Sequence, residues 1–234
     1  MIIITDAHID HHTEAALEFF QMLAALEATD QDVVFLGDIF DLWIGMERYE
    51  TETHRSFLSW CREQLKHRRI GFMEGNHEYF VARERRDFFT WCTADEAWRD
   101  EQETVYCHGD QLNRLDRQYL RFRKAAKNPV TRHILHRLPF GPQMGRVLKR
   151  LLKNTNHDFR KHVPYTLIDR FAEDRFNSGV RTIFVGHFHQ AYAYRGLRGG
   201  RLQVIPGWHG TGLIARFEPH SEKIDIGHWT ELAS

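Results

Sequence analysis

Histidine and carboxylate side chains recur along this sequence in groups that could bind a metal ion. The groups are Asp6 with His8, then Asp38, Asn76 with His77, His108, and His187 with His189. Carboxylate and imidazole together suit Mn²⁺, Fe or Zn²⁺, whereas a structural zinc site would favour thiolates. Histidine is also abundant, since 16 in 234 residues is about three times ordinary usage. The residue types therefore predict a hydrolytic rather than a structural metal site.

Each group is a weak signal when it is taken alone. A lone histidine at the end of a strand is more often a hydrogen-bonded structural residue than a metal ligand. Here every group directly follows an apolar run that predicts a β-strand. This conjunction favours convergence of the groups on one site.

Five apolar runs predict the strands that carry these groups. They span Met1–Thr5, Val33–Leu36, Ile70–Met73, Thr104–Cys107 and Arg181–Val185. Helices are predicted over Thr13–Ala28, with Thr13 as the cap, and over Glu52–His67. Alternating strands and helices predict a mainly parallel sheet, with all the groups at the carboxyl edge of one sheet. After Gln190 the pattern predicts antiparallel strands with a hairpin turn at Gly199-Gly200.

Composition places the chain among ordinary globular proteins. Its 32 Lys and Arg balance 32 Asp and Glu, and 42% of its residues are hydrophobic, which excludes disordered and collagen-like classes. Three cysteines are too few for a disulfide framework, so we expect a reducing, cytoplasmic compartment. We expect neither a signal peptide nor a transmembrane helix, because no apolar stretch approaches the ~20 residues of a membrane span. A single domain is predicted over residues 1–234.

A basic segment lies between the fourth and fifth predicted strands. From Arg117 to Tyr165 there are thirteen Lys or Arg and one acid, Asp158. Residues from about 111 to about 175 have helical character, broken by Asn128-Pro129 and by a turn at 139–142 that contains Pro and Gly. We interpret this segment as a helical insertion within the single domain.

Taken in their order along the sequence, the groups resemble the pattern of the calcineurin-like metallophosphoesterase superfamily. That pattern is D-x-H, G-D-x-x-D, G-N-H-D/E, a further H and G-H-x-H. In this chain the blocks read Asp6-Ala7-His8, Gly37-Asp38-Ile39-Phe40-Asp41, Gly75-Asn76-His77-Glu78, His108 and Gly186-His187-Phe188-His189. The resemblance implies an α/β fold, a four-layer αββα sandwich with the basic helical insertion, and phosphoester hydrolysis at two divalent metal ions.

The resemblance also implies which residues bind the two ions. Asp38 would be the shared ligand, because a carboxylate with two oxygens can bridge two ions. One ion would also take Asp6, His8 and His189, and the other Asn76, His108 and His187. Mn²⁺ is the expected metal, with Fe or Zn²⁺ as alternatives, and it would lower the pKa of bound water toward ~7.

Three further residues of the blocks receive roles by the same resemblance. His77 would stabilise the transition state or protonate the leaving group, with capping of a helix as the alternative. Glu78 would hold the tautomer of His77. Asp41 would orient an imidazole, and a plain turn residue is an equally good interpretation.

A narrower resemblance is to the UDP-2,3-diacylglucosamine pyrophosphatases of lipid A synthesis. It rests on the run 37–45, the insertion, and on His108-Gly109-Asp110, Asp116, Tyr119, Phe122, Arg123 and Gly207-Trp208-His209. It implies hydrolysis of UDP-2,3-diacylglucosamine to UMP and a lipid sugar 1-phosphate, with Asn76 and Asp116 contacting substrate. His77 departs from this pattern, because those enzymes carry Arg at that position.

The basic insertion also contains apolar residues, and this combination suits a lipidic, anionic substrate or a membrane surface. The apolar residues include Ile134, Leu135, Leu138, Val147, Leu148, Leu151 and Leu152. An amphipathic helix that packs on the core is an equally good interpretation. Nucleic acid ranks lower, because aromatic stacking platforms are not interleaved with the basic residues. We predict a nucleotide-linked or lipidic phosphate substrate, with peripheral association at the inner face of the membrane.

Two other functions stay open at this point. The protein could be a metallophosphoesterase that acts on another small phosphoester or nucleotide. It could also be a non-catalytic scaffold, which loss of metal ligands would favour. None of the expected ligands is missing from the sequence.

Overall fold

A computed structural model of the chain describes residues 1–11, 13–138 and 163–233. The strands are β1 (Ile2–Ile4), β2 (Val33–Phe35), β3 (Trp43–Ile44), β4 (Ile70–Met73), β5 (Glu78–Tyr79), β6 (Trp91–Thr93), β7 (Trp98–Arg99), β8 (Thr104–Cys107), β9 (Thr182–Val185), β10 (Tyr192–Arg195), β11 (Arg201–Val204), β12 (Leu213–Glu218) and β13 (Lys223–His228). The α-helices are α1 (Glu14–Leu26), α2 (Glu52–Gln64), α3 (Val81–Glu84), α4 (Arg117–Ala126), α5 (Pro129–Arg137), α6 (Tyr165–Phe176) and α7 (Trp229–Leu232). Short 3₁₀ turns occupy Glu47–Tyr49 and Arg86–Phe88.

The strands form two large sheets and one small one. The six-stranded sheet has the order β13-β12-β1-β2-β4-β6, the five-stranded sheet has the order β10-β11-β9-β8-β7, and β3 pairs with β5. β1, β2, β4 and β6 run parallel in the first sheet, and β8, β9 and β11 run parallel in the second. The prediction that all the strand ends share one sheet is therefore wrong. An unbroken apolar run shows that a strand is buried on both faces, but it does not show which sheet the strand joins.

Alternation along the strands places the two sheets face to face. In β1, Ile2 and Ile4 pack in a cluster with residues of α1 and α2, whereas Ile3 packs in a second cluster that includes Phe184 of β9. Successive side chains of a strand point to opposite faces, so this second cluster lies between the sheets. The far face of the second sheet is covered by α6, whose Ile168 packs with residues of β8, β9 and β11. The layers are helix, sheet, sheet and helix, which confirms the predicted αββα sandwich.

The two predicted helices on the first sheet, α1 and α2, follow the predicted pattern closely. Thr13 caps α1, where its Oγ1 accepts a hydrogen bond from the Ala16 amide at 3.2 Å. Phe19, Met22, Leu23 and Leu26 are buried at helical spacing along α1. α1 ends at Leu26 and α2 ends at Gln64, each two or three residues before the predicted end, because turns follow them.

The C-terminal strands and the insertion differ in part from expectation. β10 and β11 form the predicted antiparallel hairpin around Gly199, whose φ is +84°, but β11 also pairs parallel with β9. In the predicted insertion, α4 and α5 are separated at Pro129, where Asn128 caps α5. The predicted turn at 139–142 and the apolar residues Val147, Leu148, Leu151 and Leu152 lie outside the described residues. α6, at the end of the predicted insertion, forms the outer layer of the second sheet.

Candidate metal centre

The predicted ligands lie where strands of both sheets end. Asp6 and His8 follow β1, Asp38 follows β2, and Asn76 follows β4; from the second sheet, His108 follows β8, and His187 and His189 follow β9. Hydrogen bonds join the loops of one sheet to those of the other, since the His187 amide donates to Asp6 Oδ2 at 2.7 Å and His108 Nδ1 lies 2.8 Å from the Leu36 carbonyl oxygen. The ligand-bearing strand ends of both sheets therefore meet at one place.

Five of these ligands have a backbone conformation that L-residues rarely adopt. Their φ angles are positive: Asp6 +51°, His8 +45°, Asp38 +53°, His187 +69° and His189 +54°. Left-handed backbone at non-glycine residues costs of order 1–3 kcal/mol each, and it clusters at functional sites. Such strain is a signal of function that the sequence did not reveal.

The side chains form three overlapping groups whose potential ligand atoms lie within 4.8 Å of one another. The groups are Asp6, Asp38, His108 and His187; Asp6, His8 and His189; and His8, Asp38 and His77. Asn76 joins them, because its Oδ1 lies 3.3 Å from His108 Nε2. The structure therefore brings all seven predicted ligands together, with Asp6, His8 and Asp38 each in two groups. Which ion each residue binds stays a prediction.

The polar atoms at this edge suit a bound cation. Asp6 Oδ1 and both ring nitrogens of His8 are buried without a hydrogen-bond partner among the described residues. Buried polar atoms without partners are rare and costly. Burial lowers the pKa of His8 to about 4, so its imidazole is neutral and free to act as a ligand. Oxygen and nitrogen donors of this kind fit divalent metal ions.

Asp38 and His108 form the electrostatic centre of the site. Burial alone would raise the pKa of Asp38, but His77 and His108 outweigh it and hold that pKa well below its usual range. Burial alone would lower the pKa of His108, but Asp38, 3.5 Å away, raises it to about 10. Asp38 is thus ionised and able to hold a cation, which would compete with the proton on His108.

His77 is oriented by the main chain rather than by Glu78. Its Nδ1 lies 2.6 Å from the Asp41 carbonyl oxygen, which can only accept, so Nδ1 carries a proton. Nε2 then faces the cavity, 3.9 Å from Asp38 Oδ2. Burial would lower the pKa of His77, but the nearby Asp38 carboxylate raises it. The predicted tautomer-holding role of Glu78 is wrong, and Asp41 fills it through its carbonyl.

Glu78 instead fixes the loops that carry the ligands. It is buried and accepts from the amides of Asp38 at 2.8 Å, Ile39 at 2.7 Å and Gly75 at 2.8 Å. Burial, with Asp38 close by, raises the pKa of Glu78 to about 7. The close approach of the two loops also requires glycine at 75, because a Cβ there would lie 2.2 Å from Asp38 Oδ1. One carboxylate thus links the end of β2 to the end of β4.

Asp116 is not brought to the cavity. Its carboxylate caps α4 by accepting from the Tyr119 amide at 2.9 Å. The cavity is lined by His8, Asp38, Asn76, His77, Gly109, Asp110, Asn113, Tyr119, His187, Phe188 and His189. Asp110, Asn113 and Tyr119 were not predicted as site residues, although Asp110 follows the His108-Gly109 pair. His209 also lies close, with its ring centroid 6.3 Å from that of His8.

The comparison with known protein families agrees with this arrangement. The family model described as calcineurin-like phosphoesterase matches residues 1–191. The chain belongs to this family. It is a metal-dependent hydrolase of phosphoesters, and the family implies divalent metal ions at the cluster described above.

Curated relatives match most of the chain. A UDP-2,3-diacylglucosamine hydrolase of Shewanella loihica is 22% identical over 228 residues, 93% of this chain and 92% of that protein. One of Stutzerimonas stutzeri is 26% identical over 211 residues, 81% of this chain and 82% of that protein. Among solved structures, a dimetal phosphatase from Danio rerio has a TM-score of 0.41 and 14% identity, covering 97% of this chain and 91% of that one.

Proposed function

We propose that the protein hydrolyses the pyrophosphate of UDP-2,3-diacylglucosamine, or a close relative, to UMP and a lipid sugar 1-phosphate. The observation that carries the proposal is the convergence of seven oxygen and nitrogen ligands from two sheets beside a cavity. The names of the similar curated proteins supply the substrate class. No described helix is long and apolar enough to cross a membrane.

The proposed centre holds two divalent ions, with Mn²⁺ as the preferred metal. One ion is assigned to Asp6, His8 and His189, the other to Asn76, His108 and His187, with Asp38 shared. When bound, such ions neutralise charge on the phosphate and supply an activated water. The buried atoms of Asp6 and His8 that accept or donate no hydrogen bond within the described part of the chain support this assignment.

His77 is proposed as the proton donor to the leaving phosphate oxygen. Its Nδ1–H is held by the Asp41 carbonyl, so the ring keeps one orientation. The Asp38 carboxylate raises the pKa of His77, which favours the doubly protonated ring that can donate from Nε2. A donor in this position stabilises the negative charge that develops as the P–O bond breaks.

The outer surface of α4 and α5 is proposed to face the lipid or an anionic bilayer. Arg117, Arg121 and Lys124 are exposed on α4. Val130 and Ile134 on α5 are 68% and 51% exposed. Exposed basic and apolar side chains on these two helices favour anionic lipid, to which each Lys or Arg contributes about 1 kcal/mol near the headgroups.

Product analysis by ³¹P NMR tests the proposed reaction. The enzyme is incubated with UDP-2,3-diacylglucosamine and Mn²⁺, with a chelator-treated sample as the control. The proposal predicts resonances of UMP and a sugar 1-phosphate in the first sample only. Release of UDP would refute the proposed bond. No turnover of UDP-2,3-diacylglucosamine while bis-p-nitrophenyl phosphate is cleaved would refute the proposed substrate and indicate a phosphoesterase for a smaller ester. His77, which replaces the Arg expected in the lipid A enzymes, favours that second candidate.

A further inference from the structure

α4 lies beside the cavity, yet hydrophobic burial does little to hold it there. Tyr119 of α4 lines the cavity. None of the residues of α4 is fully buried, and Ala126 is its one member of the described hydrophobic clusters. Most helices of globular proteins are held by an apolar face. Another interaction must therefore fix the position of α4.

Two ion pairs shielded from solvent provide that interaction. Arg123 Nε lies 2.7 Å from Asp110 Oδ2, with side chains 11% and 2% exposed. Lys127 Nζ lies 3.1 Å from Glu74 Oε2, with side chains 9% and 1% exposed, and it also donates to the Gly75 carbonyl at 2.7 Å. Arg123 and Lys127 are four residues apart, so they project from one face of the helical segment. Asp110 also accepts from the Tyr119 hydroxyl at 2.5 Å.

The acidic partners are fixed without α4. The loop of Asp110 is held by His108, whose Nδ1 lies 2.8 Å from the Leu36 carbonyl oxygen. Glu74 is held by its own amide, which donates to the Thr93 carbonyl at 2.9 Å, and by the Ala82 amide, which donates to Glu74 Oε1 at 2.8 Å. The loops that carry Asp110 and Glu74 therefore keep their positions without α4, whereas the position of α4 depends on the ion pairs.

We propose that Arg123 and Lys127 are positioning residues that hold α4 against the metal-binding loops and so place Tyr119 at the cavity. Loss of either cation releases α4 while the metal ligands keep their places. Substrates large enough to reach α4 are then bound less well, and small ones are unaffected. The kinetic part of this inference rests on the proposed function, and the structural part does not.

The structural part is tested by hydrogen exchange in residues 117–126, together with metal content. Arg123→Gln and Lys127→Gln should speed exchange in α4 by about tenfold or more, because its opening becomes easier, with metal content unchanged. Arg123→Lys, which keeps the charge, should restore part of the protection. Arg121→Gln on the exposed side of α4 is the matched control and should exchange like the parent. Unchanged exchange in both Gln variants, or loss of metal from them, would overturn the proposal.

The kinetic part compares a large and a small substrate in the same variants. The KM for UDP-2,3-diacylglucosamine should rise about tenfold in Arg123→Gln and Lys127→Gln, while kcat/KM for bis-p-nitrophenyl phosphate stays within about twofold. Parallel loss on both substrates would show that the pairs support the metal ligands, contrary to the proposal. If the parent does not cleave the lipid nucleotide, the proposed function is wrong. The hydrogen-exchange result for residues 117–126 then tests by itself whether the ion pairs hold α4.

Discussion

His77 is the residue at which proton donation and metal binding can be separated. Its Nδ1 is held by the Asp41 carbonyl, and its Nε2 faces the cavity near Asp38. We predict that His77→Ala lowers kcat by roughly 10²–10⁴, the range for a positioned acid, and retains the metal. Steady-state kinetics and metal analysis of the same preparation check this.

The matched control is His67→Ala, because His67 is an exposed histidine in the turn after α2. It should leave kcat unchanged. Loss of an ion from His77→Ala would instead show that His77 is a ligand, as its grouping with His8 and Asp38 allows.

Glu78 offers a second test at the residue scale. Its carboxylate accepts from amides of the loops after β2 and β4. We predict that Glu78→Gln lowers the free energy of unfolding by about 1–3 kcal/mol, because a neutral amide with one oxygen leaves buried N–H groups unpaired. Urea unfolding measures this, with the exposed Glu47→Gln as the control. Equal stability of the two variants would contradict the anchoring role of Glu78.

At the scale of elements, the sequence predicted the strands better than their arrangement. β4 and β8 have the predicted bounds, Ile70–Met73 and Thr104–Cys107, because each largely apolar run is followed at once by a polar residue, Glu74 or His108. The strand pattern alone placed all the strand ends in one sheet, and only the family resemblance implied two sheets, since the partner of a buried strand is chosen by contacts distant in sequence.

The contacts that shape the site were also beyond sequence reasoning. The main-chain acceptor for His77 lies 36 residues away, and Glu78 reaches back 40 residues to Asp38. Residue types and strand ends predicted the ligand set, whereas positive φ angles and these long-range hydrogen bonds depend on how the loops meet. Asp116 was assigned to substrate by resemblance alone, whereas in the structure its carboxylate caps α4.

The start of α2 gives a prediction on pH and stability. His54 is buried beside Trp43, and its Nδ1 accepts from the Thr51 amide. Burial lowers the pKa of His54 from 6.5 to about 3, so the unfolded state binds the proton first as pH falls. The contribution of neutral His54 is complete above pH 6.5 and declines from there toward pH 3.

The parent should therefore be more stable than His54→Gln at neutral pH, and this difference should shrink in acid. Between pH 7.5 and pH 5 the difference in unfolding free energy between parent and His54→Gln should shrink by about 2 kcal/mol, at about 1.36 kcal/mol per pH unit below 6.5. Urea titrations in chelator at both pH values measure it, because chelator removes the pH dependence of metal binding. A constant difference would contradict the buried, neutral state.

At the scale of the whole molecule, the metal centre joins the two sheets of the sandwich. Ligands come from β1, β2 and β4 on one sheet and from β8 and β9 on the other. Because ions bind the folded state, we predict that Mn²⁺ at 100 times its Kd raises the free energy of unfolding by about 2.7 kcal/mol, and the unfolding midpoint rises with it. Asp38→Ala should abolish this shift together with activity. A full Mn²⁺-induced shift in Asp38→Ala, or full turnover by the parent in excess chelator, would contradict the assignment of Asp38 as the shared metal ligand.

Anomalous diffraction from crystals grown with Mn²⁺ tests the central claim most directly. The account predicts two manganese peaks, one bounded by Asp6, His8 and His189 and the other by Asn76, His108 and His187. The carboxylate of Asp38 should lie between the peaks, and His77 should contact neither. A single peak, or a peak coordinated by His77, would contradict a dinuclear centre built from the ends of strands in both sheets.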